Sequence, residues 1–236
     1  FRGVTGVQTC ALPISLYLSR AFAPDVAYVN GLSIVFEGGG IESDGQGTLL
    51  TTDSVVVEPN RNAGVDEEVL RTHLMEILGG KRLLSLENGE LEGDDTDGHI
   101  DTLARFITPE MIAYVGCDDE RDSHYHALRR MREELENFRT LEDKPYQLVE
   151  LPLPPAIYDE EGERLPATYA NFLFVNGALL VPTYGVPSDE VALERLRKAL
   201  PELAVVGVDS RALIYQHGSL HCATMQFPKG FINKNK

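Results

Sequence analysis

The sequence contains no tryptophan and only three cysteines, Cys10, Cys117 and Cys222. Three widely spaced thiols do not build a disulfide framework, and they lack the paired spacing of a structural zinc site. Basic residues are also scarce: 21 Lys and Arg stand against 37 Asp and Glu, a formal net charge of -16. That excess argues against nucleic acid or an anionic membrane surface as a partner. It is compatible with a small cationic ligand, but the stronger reading is an acidic surface that keeps the chain soluble. No apolar run reaches the ~20 residues needed to cross a bilayer. No signal peptide is readable, so the cytoplasm is the expected location.

Hydrophobic residues make up 43% of the 236 and charged residues 25%. That composition supports a sizeable core without long disorder. Residues 1–15, FRGVTGVQTCALPIS, lack periodicity and join abruptly to the segment beginning at Leu16. They resemble a translated sequencing adapter. The expectation is a non-native leader over 1–15, with residues 16–236 as one domain whose amino-terminal part is missing. On that reading Cys10 carries no function.

The rest of the chain alternates between strand and helix signals. Strands are expected at 34–36, 54–58, 82–86, 100–106, 111–115, 146–151, 205–208 and 212–215, from short apolar runs between turn residues. Hairpins are expected around the DGQG turn within 41–52 and around Asn176-Gly177, between strands at 171–175 and 178–182. Asn60, Arg61 and Asn62 read as a polar loop. Helices are expected at 67–78, 122–140 and 188–200. Asp66 should cap the first, Gly79-Gly80 should stop it, and Ser188 should cap the third. The proline-rich stretch 151–167 should be largely loop. The helices recur about every 60 residues, a rhythm of repeated ββαβ-like units. A plain open α/β sandwich is the simpler alternative.

The densest chemical signal is GDDTDGHID at 93–101, with Asp94, Asp95, Asp97, His99 and Asp101. If 99–101 is extended, His99 and Asp101 point to one face, because strand side chains alternate. An acid/base histidine and a cation-binding carboxylate would then share a cavity. A solvated polar turn is the other reading, and a calcium loop lacks its required spacing. Cys222, in SLHCATMQFP, can serve as a thiolate nucleophile if its surroundings favour ionisation, or as a small core residue. His221 would point away from Cys222 in a strand, which suits packing or hydrogen bonding more than base chemistry. Glu37 ends a strand before Gly38, Gly39 and Gly40. A carboxylate there can pair bidentately with a guanidinium, or decorate a surface turn. Asn171 can orient a ligand or serve a local turn. Cys117 lies in GCDDERD, where acidity would raise a thiol pKa. His124 and His126 do not share a helix face, which argues against a metal pair.

Five segments together resemble the agmatine deiminase family, related to the bacterial type of peptidyl-arginine deiminase. They are EGGGIESDGQGTLLTT at 37–52, PNRN at 59–62, GDDTDGHID at 93–101, LPATYANFLFVNGALLVPTYG at 165–185 and HGSLHCATMQFP at 217–228. The resemblance implies an α/β fold, part of a five-bladed pentein-type propeller built from ββαβ-like units. It implies Cys222 as nucleophile, His99 as acid/base and Asp101 as guanidinium-binding carboxylate. It places Glu37, Gly38, Gly39, Asp97 and Asn171 around the substrate. No cofactor or metal is implied, and a homo-oligomer is open. Two departures stand out. An Arg-Asp-x-Gly-Pro motif and a tryptophan-rich region are missing, consistent with an incomplete deiminase catalytic domain over 16–236. QHGSLHC also replaces a segment usually like GGGNIHC. The implied reaction converts agmatine and water to N-carbamoylputrescine and ammonia. A peptidyl-arginine substrate, an amidino transferase and a catalytically impaired fragment are the alternatives. Weak or absent turnover is the expectation for the 236-residue chain.

Overall fold

The structure is a computed structural model and describes residues 19–23, 34–95, 98–227 and 229–232. Residues 1–15, with Cys10, and Asp97 lie outside it. Three three-stranded sheets follow one another along the chain. The first holds β1 (Glu42–Ser43), β2 (Thr48–Thr52) and β3 (Arg82–Leu86). The second holds β4 (Ala104–Thr108), β5 (Met111–Gly116) and β6 (Gln147–Pro152). The third holds β7 (Leu173–Val175), β8 (Ala178–Thr183) and β9 (Ala204–Asp209). In each sheet the first two strands form an antiparallel hairpin and the third runs parallel to the second. A parallel neighbour needs a crossover, and helices supply it. The repeated ββαβ pattern is therefore present three times.

Between β2 and β3 run α1 (Asp53–Val57), α2 (Pro59–Asn62) and α3 (Glu67–Leu78). The later crossovers are α4 (Tyr125–Asn137) and α5 (Ser188–Ala199). The α3 boundaries follow local chemistry. Asp66 accepts hydrogen bonds from the Glu68 and Val69 amides, and Gly79 takes the left-handed conformation at φ 69° that ends the helix. Leu128, Met131 and Leu135 of α4 are fully buried against β4, β5 and Leu86. Truncating any one of them to alanine would cost roughly 2–5 kcal/mol. A second core joins β8, α5 and the loop residues Tyr169 and Phe172. Among the described residues, no helix is long and apolar enough to cross a membrane.

Several local expectations give way to tertiary contacts. The SVVVE run is helical over Asp53–Val57 rather than a strand. The Thr52 hydroxyl caps it by accepting from the Val55 amide, and Val55 and Val56 turn inward. Residues 34–36 form no strand. The Asn62 side-chain amide takes both hydrogen bonds of the Val35 backbone, at 2.8 Å each, so a side chain replaces a neighbouring strand. PNRN is a helical turn, not a loop, with Pro59 at its first position and the Glu58 carboxylate capping Asn60. The 100–106 strand begins only at Ala104, after a 3₁₀ turn at Ile100–Thr102. Residues 212–215 enter a second 3₁₀ turn, Ile214–Gln216, which His217 closes at φ 57°. Ser188 does not cap α5. The Ser188 hydroxyl bonds Tyr169 instead, and the Asp189 carboxylate in the first turn fastens the preceding loop by accepting from the Tyr184, Gly185 and Val186 amides.

Candidate active site

The 3₁₀ turn at Gly38–Gly40 lies against the 3₁₀ turn at Ile100–Thr102. His99 and Asp101 are both 1% exposed. They do not share a face by strand alternation, because a tight turn rather than extended backbone joins them. Thr102 holds that turn, donating its hydroxyl to the His99 carbonyl at 2.8 Å. The two side chains nevertheless converge at Gly39. A Cβ placed on Gly39 would lie 2.6 Å from His99 Nδ1 and 3.0 Å from Asp101 Oδ2. Glycine is required there for close approach rather than for backbone freedom. Gly38 stands at the turn's exposed start and borders a polar cavity of about 480 Å³ shared with Glu42, Arg105 and His221.

Asn171 organises the other half. It is fully buried ahead of β7, and its Oδ1 accepts from the backbone amides of His221 at 2.8 Å and Cys222 at 3.2 Å. Its Nδ2 donates to Cys222 Sγ at 3.3 Å and to the Asp101 carbonyl at 3.2 Å. One amide thus docks the cysteine turn onto the Asp101 turn. Cys222 is half-buried, with Sγ 3.8 Å from Asp101 Oδ2. His221 lies in a turn, not a strand, and its Nδ1 donates to Asp101 Oδ2 at 2.6 Å. Asp101 Oδ1 is buried without a hydrogen-bond partner among the described residues.

Glu37 pairs with Arg61 Nε at 2.6 Å, and the same oxygen lies 3.6 Å from His99 Nε2. Burial alone would raise its pKa. The nearby His99 and the paired Arg61 outweigh burial and hold the carboxyl below its ordinary value. Asp101 follows the same logic: burial opposes its charge, and the surrounding contacts, the His221 hydrogen bond foremost, hold its pKa below the ordinary value. Cys222 goes the other way. Burial pushes the thiol pKa up, and the Asp101 charge pushes it further.

The remaining candidates separate from this cluster. Cys117 donates to the Asp119 carbonyl at 3.6 Å, and burial followed by the Asp122 charge raises its pKa. His124 is a structural link, with Nδ1 on Asp122 and Nε2 accepting from the Glu92 amide. Among the described residues no group of His, Cys, Asp and Glu is arranged to hold a metal. Sequence reasoning missed Arg61, Asn62 and Arg105 as site-building residues. Arg105 had a signal: an arginine within the apolar strand ARFIT should be paired if buried.

Residues 15–228 match the Porphyromonas-type peptidyl-arginine deiminase family. A Marinomonas protein provisionally named an agmatine deiminase is 33% identical over 218 residues, covering 86% of this chain and 59% of that protein. A Porphyromonas gingivalis structure, provisionally named an arginine deiminase, superposes with TM-score 0.92 at 51% identity, over 95% of this chain and 66% of that one. A cysteine-to-serine variant of C. jejuni agmatine deiminase with substrate bound gives TM-score 0.81 and 41% identity, over 94% and 63%. The chain therefore spans about three-fifths of the curated relative it matches.

Proposed function

Because the chain belongs to the Porphyromonas-type peptidyl-arginine deiminase family, we propose that it hydrolyses a guanidino carbon–nitrogen bond through Cys222. The fold is α/β and pentein-like, as in its structural relatives. We read the three ββαβ units as blades of a ring that longer relatives complete. The observation that carries the functional reading is the Cys222–Asn171–Asp101 cluster, in which a thiol sits 3.8 Å from a buried carboxylate.

A planar guanidinium would meet Asp101 through paired N–H donors. Its charge would replace the missing counter-charge, lowering the cost of ionising Cys222. Substrate binding and nucleophile activation are then one event. The thiol proton passes to His99 as Sγ attacks the guanidinium carbon. His99 returns that proton to the departing ammonia, leaving an amidino-thioester. It next takes one proton from water attacking the same carbon; the C–S bond then breaks, the hydroxyl proton leaves for solvent as the ureido carbonyl forms, and His99 returns its proton to the departing Cys222 sulfur. Glu37 lies against His99 Nε2 and would steady the imidazolium between these steps. Asp97 and Gly38 remain proposed substrate neighbours, with Gly39 as the packing point. No cofactor enters this chemistry.

Agmatine is the favoured substrate, supported by the substrate-bound C. jejuni relative. The family name supports peptidyl arginine as the second reading. Acid quenching with each substrate, followed by mass spectrometry of the Cys222 peptide, should show the covalent adduct, with ammonia in the supernatant. The better substrate settles between the two. A folded protein that yields neither adduct nor ammonia with either substrate refutes the proposal.

A further inference from the structure

Arg105 is only 6% exposed, and its three nitrogens reach three separate parts of the chain. Nε donates to Glu42 Oε1 at 2.5 Å, Nη1 donates to the Phe172 carbonyl, and Nη2 faces His221 Nε2 at 3.3 Å. Its guanidinium carbon also lies 4.7 Å from the Phe172 ring centroid. A guanidinium has donors only and does not lose its proton in proteins. The His221 nitrogen it meets must therefore be the bare one. The single proton of a neutral imidazole then sits on Nδ1, which faces Asp101 Oδ2 at 2.6 Å. A carboxylate oxygen accepts only, so the two contacts select the same tautomer independently.

We propose that His221 is a positioning residue, locked by Arg105 as the neutral Nδ1–H tautomer so that Asp101 is held by a neutral donor and presents its other oxygen to the substrate. This rests on the reading that Asp101 binds a guanidinium. A doubly protonated His221 would form an ion pair with Asp101 and compete with the substrate for its charge. The donor-only guanidinium of Arg105 offers no acceptor to a proton on Nε2, and Glu42 pairs with Arg105 in turn. The backbone amide of His221 is fixed by Asn171. The charges from Glu42 through Arg105 and His221 to Asp101 thus run negative, positive, neutral, negative.

Nitrogen-15 NMR of the labelled imidazoles in the substrate-free chain reads the tautomer without any turnover. The His221 signal is assigned by its loss in His221→Asn. The expected result is a proton on Nδ1 and none on Nε2. A proton on Nε2, alone or with one on Nδ1, overturns the proposal. The kinetic arm compares two amides. Asparagine places its NH₂ near the Nδ1 position and keeps a donor to Asp101, whereas glutamine places it near Nε2. His221→Gln should raise KM for agmatine about tenfold more than His221→Asn, with kcat moving less than KM. Equal rises in KM for both variants, with equal losses of thermal stability, would mark a merely structural residue and overturn it. If the unsubstituted protein turns over no guanidino substrate, the proposed function fails while the NMR result still decides the tautomer.

Discussion

Replacing Gly39 with alanine adds one methyl group at the point where the two halves of the His99–Asp101 pair meet. The new Cβ would stand 2.6 Å from His99 Nδ1 and 3.0 Å from Asp101 Oδ2. The first distance is about 0.8 Å inside ordinary van der Waals contact. Neither neighbour can swing away cheaply. Both are buried, and the turn between them is fastened by the Thr102 hydroxyl and by Leu103, whose amide bonds Ile100. Gly39 does not sit in the left-handed region, so the cost is purely steric. Overpacking of this kind costs about 1–3 kcal/mol. A shift of about 1 Å in reacting groups can cost about 10²-fold in rate. Gly39→Ala should therefore lower the urea midpoint modestly and the deimination rate severely. Gly80→Ala is the matched control. Its Cβ would also meet a buried side chain at 2.6 Å, that of Leu49, but away from the His99–Asp101 pair, so it matches the crowding without touching the site. A Gly39→Ala protein with the parent rate and unchanged His99 imidazole resonances would show that close packing at Gly39 does not set the site geometry.

Two further outcomes rest on the charges. Burial and then the Asp101 charge raise the Cys222 pKa, so the thiol should ionise above the free-cysteine value of about 8.5. Iodoacetamide labelling of the Cys222 peptide near neutral pH should be slow in the substrate-free protein, and Asp101→Asn should speed it; an unchanged rate would remove Asp101 from the account. For Asp122, burial opposes ionisation, but Arg164 and the His124 amide outweigh it and hold the folded pKa below the unfolded value. Its stabilisation is therefore present above the unfolded carboxylate value of about 4 and lost as pH falls through the lower folded value. Asp122→Asn should lower the urea midpoint at neutral pH, with the gap to the parent closing in acid; a gap that stays constant through the acid range contradicts that sign.

The elements legible in the sequence are those decided by local chemistry. Asp66 and Gly79 bound α3 because each acts on its own turn, and Asn176-Gly177 makes the β7–β8 hairpin for the same reason. The elements misread are those decided by a contact that an apolar pattern does not score, whether a distant side chain or a local cap. Val35 has a side chain for a partner, 27 residues away, so an apolar triplet never becomes a strand. SVVVE has strand-like side chains but a threonine cap and a core that accepts a helix. Periodicity cannot register either circumstance.

Cys222, His99, Asp101 and Asn171 could be proposed as site residues from their motifs and the resemblance those carry, while residue type alone left other readings open. Their relation could not. Contacts between residues 50 to 121 positions apart make the site: Asn171 to Cys222, Asp101 to His221 and Cys222. The sequence by itself determined the repeating unit and the candidate residues. Only the tertiary structure decided that Gly39 is a packing point, that Glu37 faces His99 and Arg61, and that burial and Asp101 raise the Cys222 pKa. Burial and buried charge set all three, and both are properties of neighbours that the chain brings together only on folding.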